Sequence, residues 1–201
     1  MIKTDWLKYY EPADRPERFD QIIQSWDTAN RASELADYSV CLTLGRQGTR
    51  AFLLDVYRER VNYPELKRAV HTLAARWHPD VILIEDKASG IQLVQELRSD
   101  GLSVIRPVTP QGEKIMRVHA ECGKIEQGDP LLPRHASWLA AYVAELTSFP
   151  RGKHDDQVDA TAQALHWIGV EGIEPGIIGY YREEVAKLRR QGHLPPEAPA
   201  A

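Results

Sequence analysis

The sequence predicts an α/β fold: a mixed five-stranded sheet, three antiparallel strands then two crossover strands, flanked by helices. Three observations carry that expectation. Three β-rich stretches fall in the first 57 residues, separated by turn signals. A continuous apolar run, Val81-Ile82-Leu83-Ile84, lies between two stretches of helical period, as a strand buried on both faces requires. The 201 residues are 43% hydrophobic and 27% charged, which suits one sizeable globular core and excludes a wholly disordered chain.

The elements follow in order. Residues 1–18 mix charge, tyrosines, Pro12 and Pro16, and read as a short helix and linker. Residues 19–27 hold Ile22, Ile23 and Trp26, run into Asp27, and form the first strand. Residues 38–44 form a second strand, Gly45-Arg46-Gln47-Gly48 a turn, and residues 51–57 a third. In residues 64–77, Leu66, Val70, Leu73, Ala74 and Trp77 recur every three or four positions behind Pro64, giving an amphipathic helix. The apolar run 81–84 is the fourth strand. A helix over 89–98 ends at Gly101, and residues 103–107 make the fifth strand.

Beyond it, residues 112–121 are helical and 122–134, with two Gly and two Pro, form a loop or small hairpin. Residues 136–147 are amphipathic through Trp138, Leu139, Tyr142, Val143 and Leu146; Phe149-Pro150-Arg151-Gly152 breaks the chain, and a last helix spans 155–168. The resulting domain organisation is a linker segment 1–18, a globular α/β domain 19–169 and a tail 170–201, low-complexity and disordered toward its end. Right-handed crossovers put the fourth strand beside the first.

Several classes drop out. Cys41 and Cys122 are too few for a disulfide scaffold and suit a reducing cytosol. No apolar run approaches the ~18 residues that span a bilayer, and the first residues lack a signal-peptide core. There is no Walker A phosphate loop, so nucleotide hydrolysis has to come from elsewhere. The net charge of −4 argues weakly against a nucleic-acid partner, because a carboxylate site is itself acidic until cations fill it.

Four carboxylates concentrate at predicted neighbouring ends. Asp27 closes the first strand and Glu85 follows the fourth. On the last helix Asp156 and Asp159 stand three apart and share a face with Asp155, Gln163 and His166, bordered by the core-facing Val158, Ala162 and Leu165. Taken singly, these acids also suit strand ends and a helix's first turn. Their conjunction on converging elements favours a site. Clustered carboxylates repel unless cations neutralise them, and hard oxygen donors suit two Mg²⁺ or Mn²⁺ ions that clamp a phosphodiester displacement.

The segments Trp26-Asp27-Thr28-Ala29, Ala36-Asp37-Tyr38-Ser39 and Ile84-Glu85-Asp86-Lys87-Ala88-Ser89-Gly90 carry a resemblance. So do Lys114-Ile115-Met116-Arg117, Leu132-Pro133 ahead of Trp138, and Phe149-Pro150-Arg151-Gly152-Lys153-His154-Asp155-Asp156-Gln157-Val158-Asp159-Ala160. Together, over about residues 5–168, the chain resembles the nuclease domain of phage terminase large subunits. The resemblance implies a ribonuclease H-like fold and a metal-dependent endonuclease that cuts concatemeric viral DNA during packaging. It implies Asp27 and Glu85 as catalytic metal ligands, with the third supplied by Asp156 and Asp159 together. Asp159 is preferred, because its helix position points back toward the sheet. Asp37 becomes an accessory ligand, and Lys87 a catalytic residue holding the scissile phosphate or orienting water. Flanking Arg31, Arg46, Arg50, Lys87, Lys114, Arg117, Arg151 and Lys153 become sequence-tolerant DNA-phosphate contacts, while Trp26 and Tyr38 read as core rather than base-stacking.

The implied partners are double-stranded DNA, an ATPase domain or chain, the small terminase subunit and the portal, in the host cytoplasm and without a membrane. The motor domain that normally precedes this one is absent from the sequence, which reads as a nuclease fragment, a truncated prophage gene or half of a split terminase. A junction resolvase of the same fold and a non-catalytic docking module are the alternative readings.

Overall fold

In a computed structural model, residues 1–28, 38–86 and 89–171 are described. One compact unit comprises Met1–His166; of the second, Trp167–Ala201, the described part is the end of the last helix. Asp37, Arg31 and Lys87 lie outside the described residues, as does the tail from residue 172. Among the described residues no helix is long and apolar enough to cross a membrane.

The N-terminal segment holds two short 3-10 turns, Thr4–Trp6 and Pro12–Asp14, around a strand β1 (Tyr9–Tyr10), where the sequence suggested a short helix. Ile2, Leu7 and Tyr10 are buried, and the Tyr10 hydroxyl donates to the Leu53 carbonyl at 2.9 Å. Burial of these three side chains outweighs the weak helical tendency of so short a segment.

Strand β2 (Gln21–Asp27) runs antiparallel to β3 (Ser39–Gln47), which pairs antiparallel with β4 (Arg50–Glu59) through a bulge at Thr43/Leu44. Strand β3 continues past Gly45, and the turn falls at Gly48, whose φ is +58°. Gly45 stays in the strand because the Phe19 ring lies on it: a Cβ there would meet Phe19 Cδ1 at 2.5 Å.

Helix α1 (Tyr63–Trp77) starts at a capping box in which the Asn62 side chain accepts from the Glu65 amide and Glu65 accepts from the Asn62 amide. It ends at His78, in the left-handed region at φ 47°. The chain returns as β5 (Val81–Glu85), parallel to β2, then α2 (Ser89–Ser99) and β6 (Ile105–Val108), parallel to β5. The order β4-β3-β2-β5-β6 is the expected mixed sheet, with the fourth predicted strand beside the first.

Helix α3 (Lys114–Glu126) runs further than expected, through Gly123. The buried Ile125 and the Lys124 ammonium, which donates to the Leu165 carbonyl at 2.8 Å, anchor the extra turn and outweigh the cost of a helical glycine. Of the expected loop or small hairpin over 122–134, the first part belongs to α3, and the loop after it leads into β7 (Leu132–Pro133), which pairs parallel with β1. Helices α4 (Leu139–Ser148) and α5 (Asp156–Glu171) follow, the last elements among the described residues.

The sheet buries both faces. Trp26, Cys41, Ile82 and Ile84 meet Leu66, Val70 and Leu73 of α1 and Leu93 and Leu97 of α2. On the opposite face the Ser25 hydroxyl donates to the Ala160 carbonyl at 2.8 Å, fastening α5 to the central strand. Val158, Ala162 and Leu165 are buried there, as their positions beside the polar arc predict.

Candidate metal and nucleic-acid site

The site forms where the parallel strands β2 and β5 end. Their register pairs Trp26 with Ile84, so the next residues, Asp27 and Glu85, stand side by side. Pleat alternation sends the indole of Trp26 into the α1 face and the Asp27 carboxylate toward α5. Gly90, in the first turn of α2, approaches the Glu85 carbonyl so closely that a Cβ would collide with it.

Helix α5 delivers the third carboxylate. Besides the Ser25–Ala160 bond, the Gln163 amide donates to Ser25 Oγ at 3.0 Å and to the Trp26 carbonyl at 3.3 Å. These bonds fix Asp159 against the end of β2. Asp27, Glu85 and Asp159 line one cavity of about 390 Å³, together with Arg117, Glu121, Gln163, His166 and a wall that includes Val108, Pro110, Met116 and Ala120.

The carboxylates perturb one another. Burial first, then the charges of Asp159, Glu85 and Asp156, push Asp27 well above the usual carboxylate range, with Lys114 opposing. Burial also raises Asp159, against the lowering effect of Lys114 and Arg117. Asp156 is pushed up to about 6 by burial and by the charges of Glu145 and Asp155, with His154 opposing. Such a cluster binds protons or cations to relieve its charge.

Cationic side chains already reach it. Lys114 Nζ bridges Asp155 Oδ1 at 2.8 Å and Asp159 Oδ2 at 2.5 Å, and Arg117 Nη2 approaches Asp159 Oδ1 at 3.4 Å. The oxygen-only donor set of Asp27, Glu85 and Asp159 fits a hard divalent ion in chemistry. As arranged, no three His, Cys, Asp or Glu groups among the described residues close on a common point that could hold one.

The remaining candidates separate by position. Arg117 lines the cavity, Lys114 pairs with its Asp159, and Arg151 and Lys153 are exposed just ahead of α5. Arg46 is not brought to the acids: it pairs with Gln21, at the opposite end of β2 from Asp27, because register in a seven-residue strand separates its two ends. Arg50 is likewise remote, 3.8 Å from Asp129. Trp26 is core, as expected. Tyr38 is half-buried rather than core, with the Arg58 guanidinium 3.6 Å from its ring centroid and the His154 ring edge-on at 5.2 Å.

Sequence reasoning missed Glu145. Its carboxylate, 8% exposed, accepts from the Gln157 amide at 2.7 Å and the Gln157 side chain at 2.6 Å, and pairs with Arg58 at 3.3 Å. It thereby secures the first turn of α5, which carries Asp156 and Asp159. Only the polarity of position 145 inside an apolar helical stripe hinted at this. Glu121, 4% exposed, is a second buried acid, held by Lys124 and by His166 at 3.2 Å on the cavity wall.

Comparison with known proteins agrees with this fold. The terminase RNaseH-like domain model matches residues 24–167. The magnesium-bound large terminase nuclease of thermophilic phage G20c superposes with a TM-score of 0.61 at 17% identity, covering 81% of this chain and 93% of that one. Its cobalt-bound form gives 0.61 at 18%, with 81% and 93% covered. The ADP complex of a large terminase from another thermophilic bacteriophage gives 0.58 at 11% identity, covering 78% of this chain. The chain spans only 41% of that terminase. At these identities the likeness is one of fold. No match is found among curated protein sequences. With the family model spanning most of its length, Asp27, Glu85, Asp156 and Asp159 included, the chain belongs to the terminase RNaseH-like domain family.

Proposed function

We propose that this chain is a divalent-metal-dependent endodeoxyribonuclease of a viral DNA-packaging terminase, hydrolysing phosphodiester bonds of concatemeric double-stranded DNA in the host cytoplasm. The observation that carries the reading is the meeting of Asp27, Glu85 and Asp159 on one cavity at the ends of adjacent parallel strands. Asp27, Glu85 and Asp159 would hold the metal, with Asp156 beside them and Asp37 as an accessory ligand. Two Mg²⁺ or Mn²⁺ ions, when bound, would supply a nucleophilic water and stabilise the leaving 3′ oxygen. Lys114, Arg117, Arg151 and Lys153 would steer the DNA backbone by phosphate contacts, and Lys87 would orient the scissile phosphate. A terminase ATPase, the small subunit and the portal would be its partners, with residues 19–169 forming the nuclease domain and 170–201 a tail.

The test is cleavage of supercoiled plasmid by the purified chain in Mn²⁺ or Mg²⁺. Cleavage lost in Asp27→Ala and Glu85→Ala, with circular dichroism unchanged, supports the reading. Cleavage surviving both substitutions sinks it, and preference for four-way junctions over linear duplex redirects it to a resolvase.

A further inference from the structure

Resting on that metal-dependent reading, we propose that Lys114 is a displaceable counter-ion whose ammonium competes with a divalent cation for Asp159 and thereby sets how readily the site loads. Both carboxylate oxygens of Asp159 are engaged by cationic side chains: Oδ2 by Lys114 at 2.5 Å and Oδ1 by Arg117 at 3.4 Å. A hard cation that takes Asp159 as a ligand has to win at least one of these oxygens.

Of the two contacts, Lys114 is the one built to leave. It is the first residue of α3, and no side chain caps that helix end. Its side chain is 39% exposed, against 25% for Arg117. Arg117 is also tied to the Gly112 carbonyl at 3.2 Å, which fixes its guanidinium. The lysine stem is long and flexible, and its ammonium donates without the planar constraint of a guanidinium. Asp155, the second partner of Lys114, does not line the cavity. Lys114 can therefore release Asp159 while keeping Asp155, which frees a ligand without exposing an unpaired ammonium.

The ion pair also answers an electrostatic need. Asp27, Glu85, Asp156 and Asp159 repel one another, and Lys114 offsets part of that repulsion at Asp27. An incoming divalent ion supplies the same neutralisation with greater charge. The exchange is cation for cation, so metal loading and lysine release are one event.

The measurement is Mn²⁺ affinity by calorimetry for the intact chain and for Lys114→Gln, with folding checked by circular dichroism. The variant should bind Mn²⁺ about tenfold more tightly, while Arg151→Gln, which removes an exposed charge ahead of α5, should change affinity by less than about twofold. In parallel, the Lys114 Nζ resonance of the wild-type chain should shift from its metal-free position as Mg²⁺ saturates the site, because the ammonium keeps Asp155 and loses Asp159. Unchanged or weaker affinity in Lys114→Gln overturns the proposal, as does an equal gain in Arg151→Gln. If Lys114→Gln fails to fold, the resonance decides: a signal unmoved at saturation overturns the proposal. A wild-type chain that takes up no Mn²⁺ overturns the metal site itself, an outcome distinct from uptake that is blind to Lys114.

Discussion

Replacing Glu145 with Ala should loosen the first turn of α5 more than any of its exposed acids would suggest. The carboxylate satisfies two donors of Gln157, the backbone amide at 2.7 Å and the side-chain amide at 2.6 Å, in a nearly dry position. Orphaning a buried donor costs about 1–3 kcal/mol, so the pair costs about 2–6. Losing an anion at a helix N-terminus adds a further ~0.3–1 kcal/mol. Against this, the substitution removes a negative charge that pushes up Asp156 and frees Arg58, whose contact with Glu145 is 3.3 Å. A net loss of about 3 kcal/mol is expected from these opposing terms. Urea denaturation of the metal-free chain measures it. Glu145→Gln keeps one acceptor and should recover about half of the loss, with metal affinity following the same order because Asp156 and Asp159 ride on that turn. A loss under about 1 kcal/mol in Glu145→Ala would refute the claim that this carboxylate anchors the helix.

Three other outcomes are expected. Asp27→Asn should raise the melting temperature of the metal-free chain, since it removes a buried charge that Asp159 and Glu85 oppose, and should abolish Mn²⁺-induced stabilisation; a lowered melting temperature contradicts the electrostatic account. Stability of the metal-free chain should fall as pH rises from about 4 to about 7, because the folded chain holds more protons than the unfolded one where Asp156 sits near 6 against its ordinary 3.8. Partial exposure of Asp156 limits that effect to about 1–2 kcal/mol, and saturating Mg²⁺ should reverse the slope; a flat profile in thermal scans across this range counts against it. Gly90→Ala should leave the sheet folded yet cut plasmid cleavage at least tenfold, because the new Cβ drives against the Glu85 carbonyl and shifts that carboxylate; unaltered cleavage would show that the turn tolerates the shift.

Much of the fold was legible because it is written in local periods. The apolar run at 81–84 became a strand buried on both faces, and the 3–4 spacing from Leu66 to Trp77 became α1 within one residue at its start. Ile125 beyond Gly123, and Tyr10 beside Leu53, show where local reading stopped. In both cases a contact distant in sequence outweighed a local signal, a glycine in one and a weak helical tendency in the other.

The sequence by itself determined the order of the five main-sheet strands with their helices and the placing of Asp27 and Glu85 at strand ends, because strand and helix periods are properties of neighbouring residues. It also put Asp156, Asp159, Gln163 and His166 on one helical face. Only the tertiary structure decided which partners those groups have. Ser25 meets Ala160 across 135 positions, Arg117 meets Asp159 across 42, and Glu145 meets Gln157 from a different helix. Arg46 shows the converse, a basic residue near in composition and far in register. Such pairings depend on how whole elements pack, and packing energy is summed over surfaces that no short window of sequence contains.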